Sequence, residues 1–354
     1  MGAIKAVKVL NSGGRNRSYE SYKIATLGSH SALQILYGAK QEGFSTIAIC
    51  EKGREQPYKS FKVADRLILL DSFKEIATPS VQDKLLKENA ILIPHGTFIE
   101  ALSSEDMQKL KVPYFGNKGI LKWEADRMKQ REWLRRAGLT LPKIYKTPQE
   151  IDGPTIIKFY GARGGKGFFL AKTENEFRRK LREREGRAYI IQEYIIGAPI
   201  YIHYFYSPLT DELEVMSFDK RYESNVDSIG RIAAKDQLDL GLETSYNITG
   251  NVPLVVRESL LPEIFRMGAA VVKASKTLDG DGKGIYGPFS IETVITPELK
   301  FFVFEVSARI VAGTNLYMNG SPYTDLRYGE PMSTGRRMAM EIKKAIEQNR
   351  LRMI

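Results

Sequence analysis

Residues 23–50 read KIATLGSHSALQILYGAKQEGFSTIAIC, and the order of elements in that stretch decides the fold class. Residues 24–27 are a short apolar run. Gly28, Ser29, His30 and Ser31 form a turn with residue types that cap helices. Ala32, Leu33, Leu36 and Ala39 then recur at helical spacing. Gly43 closes the helix, and residues 46–50 are apolar again. Strand, helix, strand in close succession is a βαβ unit, which requires a parallel sheet. Further strands are expected at residues 66–70, 90–94 and 112–115, with a helix at 81–88 between two of them. Residues 22–118 therefore read as one α/β domain, and residues 1–21 as a mobile N-terminal extension.

Beyond it the pattern changes. Residues 121–138 read as one helix ending at Gly138, and AGLTLPKIY leads into a mixed region. PTIIKFY and GFFLAK read as strands flanking a glycine-rich turn, residues 174–183 as a helix and 188–194 as a strand. The runs IYIHYFYS, LEVMSF, YGPFSIETVIT and KFFVFEVSARI point to a larger antiparallel sheet, and residues 333–349 to a closing amphipathic helix. The expected class is α/β, turning α+β in the C-terminal part. The second and third units are placed at residues 119–199 and 200–354.

Composition narrows the function. The chain has 354 residues, 43% hydrophobic and 27% charged, which fits a globular protein. No apolar run approaches the roughly 20 residues that span a bilayer, and residues 1–20 show no secretory-leader pattern. The single cysteine, Cys50, allows no intrachain disulfide and reads as buried. A reducing, cytoplasmic setting is expected. The net charge of +11, from 53 Lys and Arg against 42 Asp and Glu, favours anionic partners. The charge is dispersed without a nucleic-acid signature, so nucleotides and phosphorylated metabolites are favoured, with neither nucleic acid nor membrane as partner. The basic run at residues 177–187 reads as a solvated helix face.

Four features carry chemistry. Lys158 ends a strand and is followed by a glycine-rich turn containing Gly164, Gly165, Lys166 and Gly167. Glycines let backbone N–H groups approach phosphate oxygens, and the two lysines add charge. An ordinary surface hairpin would read similarly. Glu292 and Glu305 lie on successive, otherwise apolar strands. A carboxylate in such a run is costly unless something compensates it, and hard oxygen donors on neighbouring strands suit Mg²⁺ bound with nucleotide phosphates. Ser307 and Arg309 continue the Glu305 face by alternation. Gln192, Glu193, Tyr194 and Ile195, followed by Gly197, read either as a hinge offering backbone groups to an adenine edge or as a plain linker. His30 sits at a helix N-terminus, where anions bind. His95 and His203 read as local structure, and no spacing among the histidines suggests zinc.

Taken together these segments resemble the ATP-grasp superfamily, and more closely the archaeal-type 5-formaminoimidazole-4-carboxamide ribonucleotide (FAICAR) synthetases. The matching stretches include ATLGSHSALQIL, PHGTFI, VPYFGNKGILKWEADR, KFYGARGGKGFFLA, IQEYIIG, DKRYESNVDSIGRIAAKDQL, GPFSIE and FEVSARIVAGTN. The resemblance implies an ATP-grasp fold preceded by a Rossmann-like domain. It implies a ligase of purine (IMP) biosynthesis that joins formate to 5-aminoimidazole-4-carboxamide ribonucleotide (AICAR), using ATP and Mg²⁺ or Mn²⁺ and passing through formyl phosphate. It assigns the substrate nucleotide to Ser29, His30, Thr97 and Asn251. ATP goes to Lys158, Gly164, Gly165, Lys166, Gly167, Gln192, Glu193, Tyr194, Ile195 and Glu223, and the metal to Glu292 and Glu305. Lys166 and Arg309 are the catalytic cations, and a homo-oligomer, trimer or hexamer, is implied. Thr97 stands where the family can carry Ser, and Ser307 where the wider superfamily has Asn. A paralogous carboxylate–amine ligase and a non-catalytic nucleotide-binding protein are the competing readings.

Overall fold

The computed structural model describes residues 18–159, 168–182, 186, 188–242 and 247–354. The expected extension before residue 18 and the glycine-rich residues Gly164, Gly165, Lys166 and Gly167 lie outside these described residues.

Strands β1 (Lys23–Leu27), β2 (Ser45–Glu51), β3 (Arg66–Leu70) and β4 (Ala90–Leu92) form a parallel sheet in the order β3-β2-β1-β4. The helix Ala32–Gln41 crosses from β1 to β2 and buries Ala32, Leu36 and Ala39 of the expected stripe, with Ile35 buried in place of the half-buried Leu33. At the turn before it, Gly28 is required: a Cβ there would press on the Cys50 sulfur.

The run at residues 112–115 is not a strand. It makes one parallel bridge, Leu92 to Tyr114. Leu92 donates to the Pro113 carbonyl at 2.8 Å and Phe115 donates to Leu92 at 2.9 Å, but Pro113 has no N–H with which to extend a ladder. Nor is the helix at 121–138 continuous. It divides into Lys118–Glu124 and Arg127–Arg136, because the Asp126 carboxylate accepts from the N–H groups of Met128 and Lys129 and starts a new helix.

Strands β5 (Ile144–Tyr145), β6 (Thr155–Phe159), β7 (Phe168–Ala171) and β8 (Tyr189–Glu193) form an antiparallel sheet in the order β5-β8-β6-β7. Ile157, Phe159 and Phe169 pack with Phe177 of the helix Glu174–Arg182. Alternation along β6 therefore turns Lys158 away from that small core.

Strands β9 (Ala198–Ser207), β10 (Glu212–Glu223), β11 (Ile248–Leu254), β12 (Gly287–Ile295) and β13 (Phe301–Ser307) form the largest sheet, antiparallel, in the order β11-β10-β9-β12-β13. One face packs on the helix Leu261–Ser275, where the Tyr204 hydroxyl donates to the Ile264 carbonyl at 2.8 Å. The other face carries Tyr201, His203, Asp219, Arg221, Asn251, Glu292 and Glu305. The register pairs Tyr201 with both Asp219 and Glu292, Arg221 with Asn251, and Glu292 with Glu305.

The C-terminal helix Thr334–Glu347 runs back against the helix Ala32–Gln41 of the first sheet. Their backbones approach so closely that a Cβ at Gly38 would enter the chain at Gly335 and Arg336. No helix among the described residues is long and apolar enough to cross a membrane.

Candidate active site

The two glutamates are direct cross-strand partners on β12 and β13. The register slips just beyond Glu292, opposite Phe304, so that the strand bulges immediately before Glu305. A bulge re-aims side chains, and here it keeps both acids on one face while the alternation beyond it is reset. They differ in setting. Glu292 is 2% exposed, whereas Glu305 opens to solvent in the cleft.

Arg221 on β10 reaches Glu292 and ion-pairs with its Oε1. The guanidinium also lies over the Tyr201 ring, 4.1 Å from the centroid. The other oxygen, Glu292 Oε2, is buried without a hydrogen-bond partner among the described residues. Burial pushes the Glu292 carboxyl up to about 7, and the neighbouring Glu305 charge adds to this, with Arg221 opposing. The orphaned oxygen beside a solvent-facing carboxylate fits a hard divalent cation. No group of three or more His, Cys, Asp or Glu that could hold a metal occurs among the described residues. Two carboxylates with phosphate oxygens and water is the donor set that Mg²⁺ accepts.

Lys158 faces these acids from the small sheet. Burial lowers its pKa, and Arg127 lowers it further, while the Glu305 and Glu292 charges act the other way. Glu223, at the end of β10, is raised by burial and opposed by Arg221.

Arg309 follows β13. Its Nη2 lies 3.1 Å from Glu124, and the Ala308 N–H donates to the other Glu124 oxygen at 2.7 Å. Burial raises the Glu124 pKa, with Arg309 as the main opposing influence. Arg309 Nε is buried and unpartnered among the described residues.

The histidines form a second layer. His95 is fully buried. Its Nε2 is 2.9 Å from the Leu27 carbonyl, and the Thr97 N–H donates to its Nδ1 at 3.2 Å. The ring is therefore the Nε2–H tautomer. It caps the helix Gly96–Ala101 and fixes Thr97 in the first turn. His30 stacks on His95, with centroids 5.3 Å apart, and takes a left-handed backbone at φ 54°. Its Nδ1 is 2.8 Å from the Ser31 hydroxyl, so Ser31 serves the imidazole and makes no side-chain cap for its own helix. His30 is exposed as a residue, while its ring is hemmed in by His95 and Ser31. Burial there holds its pKa down to about 2, aided by His95, Arg309 and Arg221.

Of the hinge segment, Glu193 donates its N–H to the Lys143 carbonyl and Tyr194 donates to Pro154, both at 2.8 Å. The Glu193 carboxylate accepts from the Lys143 N–H at 2.9 Å. The N–H groups of Glu193 and Tyr194 and the Glu193 carboxylate are thus engaged in holding the strand end. Gln192 is buried in β8. A Cβ at Gly197 would overlap the Ile295 carbonyl, so glycine is required there.

Arg221, Glu124 and Asp219 escaped the sequence reading. Arg221 stands two residues before Glu223 on one strand, and alternation alone would have put both on the face of the acids. Glu124 offered no such sign, since its partner is far along the chain. An apolar hollow of about 430 Å³, lined by Ile200, Leu254, Val256, Leu260 and Ile295 among others, lacks the carboxylates and histidines described above.

Two family models match the chain, one described as a protein of unknown function (DUF1246) over residues 24–145 and one as a domain of unknown function (DUF1297) over residues 169–354. The chain is 55% identical over 337 residues to a 5-formaminoimidazole-4-carboxamide-1-(beta)-D-ribofuranosyl 5'-monophosphate synthetase of Pyrococcus horikoshii, covering 93% of this chain and 98% of the relative. This chain belongs to that synthetase family. The synthetase of Methanocaldococcus jannaschii is 48% identical, with 92% of each chain covered. The crystal structure of an IMP biosynthesis protein PurP from Thermococcus kodakaraensis matches with TM-score 0.73 and 29% identity, over 93% of this chain and 99% of that one. An N5-carboxyaminoimidazole ribonucleotide synthetase in complex with ADP matches with TM-score 0.68 at 12% identity, over 94% of this chain and 79% of that one, a likeness of fold. The synthetase family thus has the ATP-grasp architecture that the motif order implied.

Proposed function

We propose that the protein is the ligase that formylates AICAR with formate and ATP, giving FAICAR, ADP and phosphate in IMP biosynthesis. Family membership supports this reading, and the Glu292–Glu305 pair beneath Lys158 is the structural observation that carries it. Formate is a poor electrophile as its anion. Transfer of the terminal phosphoryl group of ATP to a formate oxygen gives formyl phosphate, whose carbonyl the AICAR amine attacks. Phosphate then leaves with the former formate oxygen.

A divalent cation, Mg²⁺ or Mn²⁺, held by Glu292 and Glu305 would neutralise charge on the transferring phosphates. Lys158 adds fixed positive charge at the nucleotide, and by its place in the glycine-rich sequence Lys166 does the same. The Ile195 end of the hinge is left for the adenine edge, with Glu223 beside the nucleotide. Arg309, anchored by Glu124, adds a further positive charge beside the acyl phosphate. Ser29, His30, Thr97 and Asn251 position the ribonucleotide. His30 offers its ring to the ribonucleotide for hydrogen bonding. Catalysis rests on positioning and charge.

The test is ADP release from ATP with Mg²⁺, formate and AICAR. Release that needs both formate and AICAR is expected. Release only with a different acid or amine, or ATP binding without turnover, would overturn the reading. A homo-oligomer is proposed from the same family and is tested by sedimentation.

A further inference from the structure

Asn251 is not free to choose which end of its amide faces the cleft. Its Nδ2 donates to Asp219 Oδ2 at 2.6 Å. Asp219 is 1% exposed, and its Oδ1 lies 2.7 Å from Nε2 of the buried His203. A carboxylate only accepts hydrogen bonds, so both neighbours must present N–H to it. Gly313 closes the arrangement, since a Cβ there would overlap the Asp219 carboxylate. The chain of fixed donors runs from the sheet interior to the cleft and ends with Asn251, beside Arg221 in the register.

We propose that the buried His203–Asp219 pair fixes the Asn251 amide with its carbonyl oxygen toward the substrate, making Asn251 an acceptor that selects an imidazole ribonucleotide bearing an N–H group over one bearing a carboxylate in the same place. This rests on the ligase reading above. An acceptor in a preformed site pairs with an amide or amine N–H, whereas a substrate carboxylate would set oxygen against oxygen, and sites built this way discriminate strongly. Asp219 and His203 touch no substrate and act as positioning residues.

The experiment compares two probes, AICAR and the same ribonucleotide with a 4-carboxylate in place of the carboxamide. Calorimetric binding to wild type, Asp219→Asn, His203→Leu and His203→Gln is measured. Wild type should prefer the carboxamide. Asp219→Asn can donate to Asn251 and release its amide to turn, so the preference should fall by about tenfold or more, with ATP affinity unchanged. His203→Leu removes the N–H from Asp219 Oδ1, so the buried carboxyl takes up a proton, can donate to Asn251 and lets its amide turn, and the preference should fall as well. His203→Gln, which keeps an N–H donor, should retain the preference. Should Asp219→Asn fail to fold, the His203 pair decides. Folded variants that all keep the wild-type preference overturn the proposal alone. A wild type that binds neither nucleotide overturns the ligase reading and this inference with it.

Discussion

The Arg221 guanidinium ion-pairs with Glu292 while covering the Tyr201 ring. One cation thus holds the buried acid that we propose as a metal ligand and packs the floor of the cleft. Removing it should leave Glu292 uncompensated in a buried position. Arg221→Met is expected to lower stability by about 1–3 kcal/mol, moderated because the arginine end is open to solvent. Mg²⁺ and ATP should recover part of the loss. Urea unfolding with and without Mg²⁺-ATP checks both, and an unchanged midpoint would contradict the role given to this pair.

Glu305 faces the cleft and bears none of the packing that Glu292 does. Glu305→Gln should therefore cut turnover by roughly two to three orders of magnitude while the fold is kept. Steady-state ADP release and a thermal melt measure the two sides. Near-normal turnover would remove Glu305 from the metal site.

Glu124 and Arg309 should behave as a unit. Glu124→Gln leaves the arginine buried without its counter-charge and should cost activity about tenfold or more, together with stability. Adding Arg309→Met should cost activity again but return some stability, because the unpaired charge is gone. A double-mutant cycle in denaturant gives the coupling, and strict additivity would count against it.

His95 sets a pH dependence. Burial holds its pKa at about 4, below the ordinary 6.5. The unfolded chain therefore binds more protons between those values, so this contribution is complete above pH 6.5 and is lost as pH falls toward 4. Its size is roughly 3 kcal/mol. Stability measured across that window should rise with pH in wild type and more gently in His95→Gln. Equal slopes would show that His95 is not the group responsible.

The Gly38–Gly335 contact makes a stability prediction far from the cleft. Gly38→Ala should push the two helices apart and cost about 1–3 kcal/mol or more. Chemical denaturation reads this directly.

The βαβ opening was legible because residues 24–50 carry their own periodicity, and β3 falls where its apolar run lies. The pairing of Glu292 with Glu305 was foreshadowed because two acids interrupt apolar strands. What stayed hidden depends on partners distant in sequence or on local competition. Glu124 meets Arg309 only through the fold. Pro113 broke an expected strand by withholding one hydrogen bond, and Asp126 broke an expected helix by capping the N–H groups of Met128 and Lys129. The helix Leu261–Ser275 and strand β11 went unread because their residues follow the acidic and polar stretch at 222–247, where no pattern stood out.

The short turn Ala312–Tyr317 touches both the His30 side and the Asp219 side of the cleft. Gly313 lies on Asp219, the Thr314 carbonyl accepts from Gln34 of the helix Ala32–Gln41, and Asn315 donates to the His30 carbonyl at 3.0 Å. The His30 wall and the Asn251 wall consequently share a keystone. A displacement of either wall would disturb the other, so the backbone around both should keep its amide protons as a single cooperative block.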